Sequence, residues 1–142
     1  MNLNVGIWID HSQAIIVSIE NEDETIRRIH SDVAGRVRLS GGSRSRTPYG
    51  PQDVASEKKI ERRRGHHLRK YYASVLEAVR NASKIYVFGP GEAKNELSKE
   101  MNRSRELSSK VVGIESADKM TEGQIAAQVR DFFNTYRAKR SG

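Results

Sequence analysis

The stretch Lys84–Met101, KIYVFGPGEAKNELSKEM, decides the fold of this chain because it joins a strand directly to a helix. Its first five residues are mainly β-branched and aromatic, and they predict a buried strand. Gly89-Pro90-Gly91 ends that strand sharply, and a short helix is predicted from Glu92 to about Asn102. The apolar residues of this helix recur at every fourth position: Ala93, Leu97 and Met101.

The residues that follow predict another strand and a terminal helix. Lys110–Ile114 is the strand. Thr121, with Gln124 three residues later, is typical of the capping box that begins a helix. The apolar positions of that helix form one predicted core face: Ile125, Val129, Phe132, Phe133 and Tyr136. Residues 137–142 are predicted to be a frayed basic tail.

The first part of the chain predicts an antiparallel meander. Val5–Asp10 and Ala14–Glu20 are rich in Val and Ile and are separated by His11-Ser12-Gln13, which is typical of a hairpin. Glu24–His30 alternates more weakly and predicts a third, exposed strand. Arg36–Leu39 places Val and Leu on one side and two arginines on the other, which predicts a fourth strand.

A long helix is predicted between this meander and the strand at Lys84. It begins near Asp53 or Ser56, either of which can cap it, and ends near Asn81. One stripe of apolar residues faces the core: Leu68, Tyr72, Val75, Leu76 and Val79. The predicted fold class is therefore α/β, with a mixed sheet in which N-terminal antiparallel hairpins are followed by strand–helix crossovers.

Length and composition restrict the classes of protein to which the chain can belong. Its 142 residues fit a single domain, and its 36% hydrophobic residues provide for one ordinary core. It contains no cysteine, which excludes disulfides, thiolate chemistry and cysteine-based zinc sites. No apolar segment approaches the roughly 20 residues of a membrane span, and no secretory signal precedes the first strand. We therefore expect a cytoplasmic protein with no membrane partner.

Positive charge is concentrated in residues 35–70, which we call the basic segment. It holds eleven lysines and arginines against three acidic residues, a balance of +8, so the rest of the +7 chain carries −1. Its first part, 40–56, is a predicted flexible loop because glycines and prolines interrupt it, and it leads into the basic start of the long helix. Such local charge favours a polyanionic partner. The predicted RNA-binding residues are Arg36, Arg38, Arg44, Arg46, Lys58, Lys59, Arg62, Arg63, Arg64, His66, His67, Arg69 and Lys70.

The second half of the chain, with RKYYASVLEAVRNASKIYVFGPGEAKNELSKEM and then SKVVGIESADKMTEGQIAAQV, resembles the central domain of the archaeal and eukaryotic class I release factors and of their paralogue Pelota. The N-terminal IWIDHSQAIIVSI is similar to the first hairpin of that family. The matching positions are Gly89, Pro90, Gly91, Lys94, Val111, Val112 and Thr121. The resemblance implies a single ribonuclease H-like α/β domain over 1–142 and a ribosome-facing role.

The resemblance also implies that the loop before the long helix enters the peptidyl-transferase region. True release factors carry Gly-Gly-Gln in that loop, whereas this chain has Gly41-Gly42-Ser43 and, separately, Gly50-Pro51-Gln52. Proline has a fixed φ and no amide hydrogen, so Pro51 cannot replace a glycine of the triplet. The sequence therefore predicts a non-catalytic ribosome- or RNA-binding protein linked to translation, of the release, rescue or hibernation type, with no cofactor and no metal.

Several alternatives stay open at this point. Gln52 would act in a peptidyl-tRNA hydrolase. Asp10 would act in a metal-dependent nuclease, for which Glu115 and Asp118 are the candidate companions. Gly89-Pro90-Gly91 would hold a phosphate on free amides or would only turn the chain. The basic segment itself would be no more than a solvated surface if it binds no partner. The sequence leaves the oligomeric state open.

Overall fold

The computed structural model of the protein describes residues 3–31 and 68–141. The predicted strand at 36–39, the predicted loop at 40–56 and the predicted start of the long helix lie outside these ranges. In chain order the elements are β1 (Leu3–Ile9), β2 (Gln13–Glu20), β3 (Asp23–His30), α1 (helical over 68–78), β4 (Lys84–Gly89), α2 (Ala93–Met101), α3 (Arg105–Ser108), β5 (Val111–Ser116) and α4 (Glu122–Ser141).

The five strands form one mixed sheet in the order β3-β2-β1-β4-β5. β1 pairs antiparallel with β2, and β2 pairs antiparallel with β3. β4 lies parallel to β1, and β5 lies parallel to β4. The predicted mixed sheet, with antiparallel hairpins first and strand–helix units after them, is confirmed. As a result the amino ends of β1, β4 and β5 lie together at one end of the sheet.

Helices cover both faces of this sheet. Alternate residues of a strand point to opposite faces, so Ile7 belongs to one hydrophobic cluster and its neighbour Trp8 to the other. The first cluster contains α1 and α2 through residues such as Val75 and Leu97. The second contains α4 through residues such as Val129. The molecule therefore has three layers, helices on sheet on helix.

The predicted helical stripes are buried largely as the spacing indicates. Ala93, Leu97 and Met101 of α2 are fully buried. On α4, Phe133 is buried but Phe132 is only partly buried, because it lies over Gly113 near the edge strand β5. Tyr71, which the predicted stripe of α1 omits, is 4% exposed.

The elements differ from the predictions by a residue or two at several ends, and most clearly at the following three places. β5 is Val111–Ser116, two residues longer at its carboxyl end than predicted. α3 is not predicted at all, since four residues are too short to show a period. α4 continues as far as Ser141, where residues 137–142 were expected to be frayed. Arg, Ala and Lys at 137–140 are good helix formers, which accounts for the longer helix. In the part of the chain that is described, no helix is both long and apolar enough to span a membrane.

Candidate nucleic-acid interface: the ends of the basic segment

The turn between β1 and β2 is fixed by the side chain of Asp10. One oxygen of its carboxylate accepts hydrogen bonds from the backbone amides of Ser12, at 2.8 Å, and Gln13, at 2.9 Å. The amide of Asp10 in turn donates to the Gln13 carbonyl at 3.0 Å. Aspartate stabilises tight turns in this way because its short side chain reaches amides two and three residues ahead. The residues that flank the basic segment bind to this turn.

The chain leaves the sheet beside this turn. β3 is the outer strand next to β2, and Gln13 lies opposite His30 in their ladder. The amide of the next residue, Ser31, donates to the carbonyl of Ser12 at 2.8 Å. Ser31 is buried, with 4% of its surface exposed. The backbone is therefore held against the turn at Ser31, four residues before the basic segment begins.

The chain returns to the same turn through α1. The hydroxyl of Tyr71 donates to the backbone carbonyl of Asp10 at 2.9 Å. The hydroxyl of Tyr72 donates to the carboxylate of Glu96 on α2 at 2.5 Å. Nε2 of His11 lies 3.0 Å from the same Glu96 oxygen. These contacts join the turn, α1 and α2, so the chain is anchored at the carboxyl end of β1 both at Ser31, before the basic segment, and at Tyr71, directly after it.

Both tyrosines of this anchor keep their protons over the physiological pH range. Burial raises the pKa of Tyr71 well above its usual value near 10, and the negative charge of Asp10 raises it further. Burial also raises the pKa of Tyr72, and the hydrogen bond to Glu96 adds to the effect. On the opposite face of the sheet, burial is the main cause that raises the pKa of Tyr86. All three hydroxyls therefore act as neutral donors.

We expect the protein to lose stability as the pH rises above about 10. In the unfolded chain these three tyrosines ionise near the ordinary pKa, whereas in the folded chain they hold their protons to higher pH. The unfolded state then binds fewer protons, so each tyrosine lowers the free energy of unfolding by up to about 1.4 kcal/mol per pH unit. Urea unfolding across this pH range measures the slope. Tyr71→Phe should reduce it, and an unchanged slope in that variant would contradict the assignment.

Of the predicted RNA-binding residues, Arg69 and Lys70 lie in the described part of the chain. Both are on the first described turn of α1, and both side chains are exposed. They precede Tyr71 directly, so the end of the basic segment is solvent-accessible and firmly attached. The other predicted residues lie outside the described ranges: Arg36, Arg38, Arg44, Arg46, Lys58, Lys59, Arg62, Arg63, Arg64, His66 and His67. Gln52, the residue of the hydrolase alternative, also lies outside them.

The structure gives Asp10 a structural task in the hairpin turn. Its carboxylate is bonded to the turn amides. Glu115, one candidate companion, accepts a hydrogen bond from the Tyr86 hydroxyl at 2.7 Å. The backbone carbonyl of Asp118, the other candidate, accepts a hydrogen bond from the indole nitrogen of Trp8 at 3.2 Å. Within residues 3–31 and 68–141, no three His, Asp or Glu side chains are grouped so that they could hold a metal ion.

Gly89-Pro90-Gly91 forms a tight connection from β4 to α2. Gly89 has a φ of +149° and Gly91 a φ of +67°, conformations that favour glycine. The ammonium group of Lys94 donates to the Gly91 carbonyl at 2.5 Å, and only 7% of Lys94 is exposed. Lys94 therefore closes the turn from inside, which favours the turn interpretation over a phosphate site.

Sequence reasoning missed the residues that anchor the basic segment. Tyr71, His11 and Glu96 are brought together only by the packing of α1 and α2 on the sheet. The adjacent pair Tyr71-Tyr72 was the available signal. Successive residues of a helix point in different directions, so only one of two neighbouring aromatic residues lies at the centre of a narrow apolar stripe. Such a tyrosine reaches the end of the sheet with its hydroxyl.

No protein-family model matches this chain, and no curated protein sequence is similar to it. Solved structures are similar to it. The Pelota protein of Thermoplasma acidophilum matches with a TM-score of 0.54 and 15% identity, over 99% of this chain and 41% of that chain. Pelota of Archaeoglobus fulgidus matches with a TM-score of 0.52 and 12% identity, over 97% and 37%. The archaeal translation termination factor aRF1 matches with a TM-score of 0.50 and 16% identity, over 99% and 42%. The chain thus spans less than half the length of these proteins, and it has a Pelota/aRF1-like fold.

Proposed function

We propose that the protein is a translation-linked factor that binds the ribosome, or structured RNA associated with it, through the basic segment, and that it does so in the cytoplasm. The observation that carries this proposal is the anchoring of a segment with a balance of +8 at one end of a Pelota/aRF1-like fold. One protein with a similar fold is a translation termination factor. The sequence resemblance to release factors and Pelota supports the same class of function.

Electrostatics explains how the segment would bind. Lysine and arginine side chains that neutralise phosphates release condensed counterions, so binding weakens steeply as salt is added. Arg69 and Lys70 are exposed on α1, immediately before the residue that anchors the helix to the turn. A chain attached at both ends loses less freedom on binding than a free tail would. The anchor therefore favours affinity without contacting RNA itself.

The protein acts as a binder and not as a hydrolase in this proposal. Ester hydrolysis needs a positioned water and donors directed at the developing oxyanion. The sequence Gly50-Pro51-Gln52 lies at about the same distance from the long helix as the triplet of the release factors. Pro51 removes one such amide from it. Asp10 uses its carboxylate to hold the hairpin turn. Both observations support the binder over the enzymatic alternatives.

Sedimentation of the protein with ribosomes across a salt series tests the proposal. Arg62→Ala, Arg63→Ala and Arg64→Ala together should weaken binding and flatten the dependence of log K on log salt by about 0.7–0.9 for each phosphate that is no longer neutralised. The matched control removes three exposed charges elsewhere, Arg27, Arg28 and Lys119, each changed to Ala. The control should bind nearly as the parent does.

Two results would contradict the proposal. If both triple variants show the parent's salt slope, the basic segment is a solvated surface. If the parent hydrolyses peptidyl-tRNA, or cleaves RNA with magnesium or manganese, and either Gln52→Ala or Asp10→Asn abolishes that turnover, the protein is an enzyme. Asp10→Asn is suited to this test because asparagine keeps an oxygen that can accept the turn hydrogen bonds.

A further inference from the structure

A second group of positive charges lies at the end of the sheet opposite to the β1–β2 turn, to which Ser31 and Tyr71 bind. It comprises residues 80–84 and 99–110, which we call the amino-end surface. These residues hold six lysines and arginines against two glutamates, a balance of +4. Since the basic segment carries +8 and the whole chain +7, all remaining residues together carry −5. The amino-end surface is therefore positive, as the basic segment is, whereas the remaining residues are acidic on balance.

Backbone contacts gather this surface at the amino ends of the parallel strands. The amide of Ser83, one residue before β4, donates to the carbonyl of Leu3 at the start of β1, at 2.7 Å. The carbonyl of Lys110, one residue before β5, accepts from Ile85 at 2.8 Å. The ammonium group of Lys110 donates to the carbonyl of Arg80 at the end of α1, at 2.9 Å. The ends of α1 and α2 are thus brought to the same place as α3.

The arginines of this surface are open to solvent and weakly paired, whereas only 19% of the Lys110 side chain is exposed. The side chains of Arg80 and Arg103 are 65% and 75% exposed, and Arg105 is exposed as well. Arg103 lies 3.9 Å from Glu100, a long contact. Arg80 has a closer partner, Glu77, at 2.8 Å, but that pair is itself exposed. Exposed pairs contribute little and are screened by salt, so phosphate groups can compete for these arginines.

The length of β1 separates the amino-end surface from the point at which the chain that carries the basic segment is anchored. The basic segment is anchored beside Asp10, after the carboxyl end of β1, whereas the amino-end surface adjoins Leu3 at its beginning. Seven residues of extended chain span about 23 Å. Phosphates bound at the two ends of β1 would therefore lie about this far apart and belong to different stretches of RNA backbone.

We propose that the amino-end surface binds a second RNA segment, so that one copy of the domain holds two RNA segments at once. The inference rests on the proposed function, because it assumes that the basic segment binds RNA. It adds that Arg80, Arg103 and Arg105 form an independent binding surface.

The experiment uses two RNA hairpins, one immobilised and one fluorescent, and measures capture of the fluorescent hairpin by the full-length protein. The parent should capture it at low salt and release it as salt rises. Arg103→Gln with Arg105→Gln should keep the protein on the immobilised hairpin but abolish capture. The matched control, Arg27→Gln with Lys119→Gln, removes the same charge from other exposed positions and should capture as the parent does.

A mixture of variants excludes capture by protein dimers. The variant without Arg62, Arg63 and Arg64 should also fail to capture, and mixing it with the Arg103/Arg105 variant should restore nothing if one domain must hold both hairpins. Restored capture in the mixture, or full capture by the Arg103/Arg105 variant, would overturn the inference. If the parent binds one hairpin but captures no second, this inference alone fails. If the parent binds no hairpin and no ribosome, the proposed function fails.

Discussion

Gly89→Ala is expected to lower the free energy of unfolding by about 3 kcal/mol or more. Gly89 ends β4 with a φ of +149°, a backbone conformation that residues other than glycine rarely adopt. A Cβ built there would lie 2.3 Å from the carbonyl oxygen of Ile9 and 3.1 Å from its amide nitrogen. Because these are backbone atoms of the neighbouring strand, β1 itself would have to move. Urea unfolding of parent and variant measures the difference.

Gly91→Ala is the matched control, two residues further on. Gly91 also has a positive φ, +67°, but no atom of the described residues lies within 4 Å of the position that its Cβ would occupy. The cost of the left-handed conformation then applies without a steric clash, about 1–2 kcal/mol. If the two variants show equal stability, the approach of Gly89 to Ile9 contributes nothing and the backbone conformation alone matters.

The double variant Gly6→Ala/Val129→Ala should have a higher free energy of unfolding than the sum of the effects of the two single substitutions predicts. Gly6 lies in β1 beneath α4, and its Cβ would lie 2.3 Å from one methyl carbon of Val129 and 2.8 Å from the other. Overpacking of this kind costs about 1–3 kcal/mol. Val129→Ala alone leaves a cavity and costs about 2–3 kcal/mol. In the double variant the new methyl group occupies the space that the valine methyls leave.

Thermal and urea unfolding of the four proteins in this cycle give the coupling free energy, which we expect to be at least about 1 kcal/mol. Gly123→Ala is a useful control, because it adds the same methyl group where the nearest atom, Oγ1 of Thr121, is 3.9 Å away. It should stabilise α4 by about 0.5–1 kcal/mol. Additive effects of Gly6→Ala and Val129→Ala would show that α4 does not rest on Gly6.

The features that could be predicted from the sequence are those that neighbouring residues determine. The capping box of α4 is one example: the amide of Gln124 donates to the Thr121 hydroxyl at 3.1 Å, and the Gln124 side chain accepts from the Thr121 amide at 3.0 Å. The burial of Leu97 is another, since it follows from helical spacing. Alternation within Glu24–His30 likewise predicted a third, exposed strand, which is observed at Asp23–His30.

The candidate interface depended on contacts that spacing does not reveal. Tyr71 and Asp10 are 61 residues apart in the chain, and their hydrogen bond exists because α1 packs across the end of β1. Gly6 and Gly113 gave no local signal either, although both allow α4 to approach the sheet: a Cβ on Gly113 would lie 2.9 Å from the ring of Phe132. The concentration of positive charge was visible from composition, whereas the place where its ends are fixed was not.

The β1–β2 turn holds the chain just before and just after residues 32–67. The two anchoring hydrogen bonds therefore do not depend on the length of that segment. Both ends are held by the turn, at Ser12 and at Asp10, whatever the number of residues between them. Closing a loop of twice the length costs only about 0.6 kcal/mol more. A change in the number of residues within 32–67 is therefore expected to cost little closure entropy, and the two anchoring hydrogen bonds make this stretch a suitable place to exchange one segment for another.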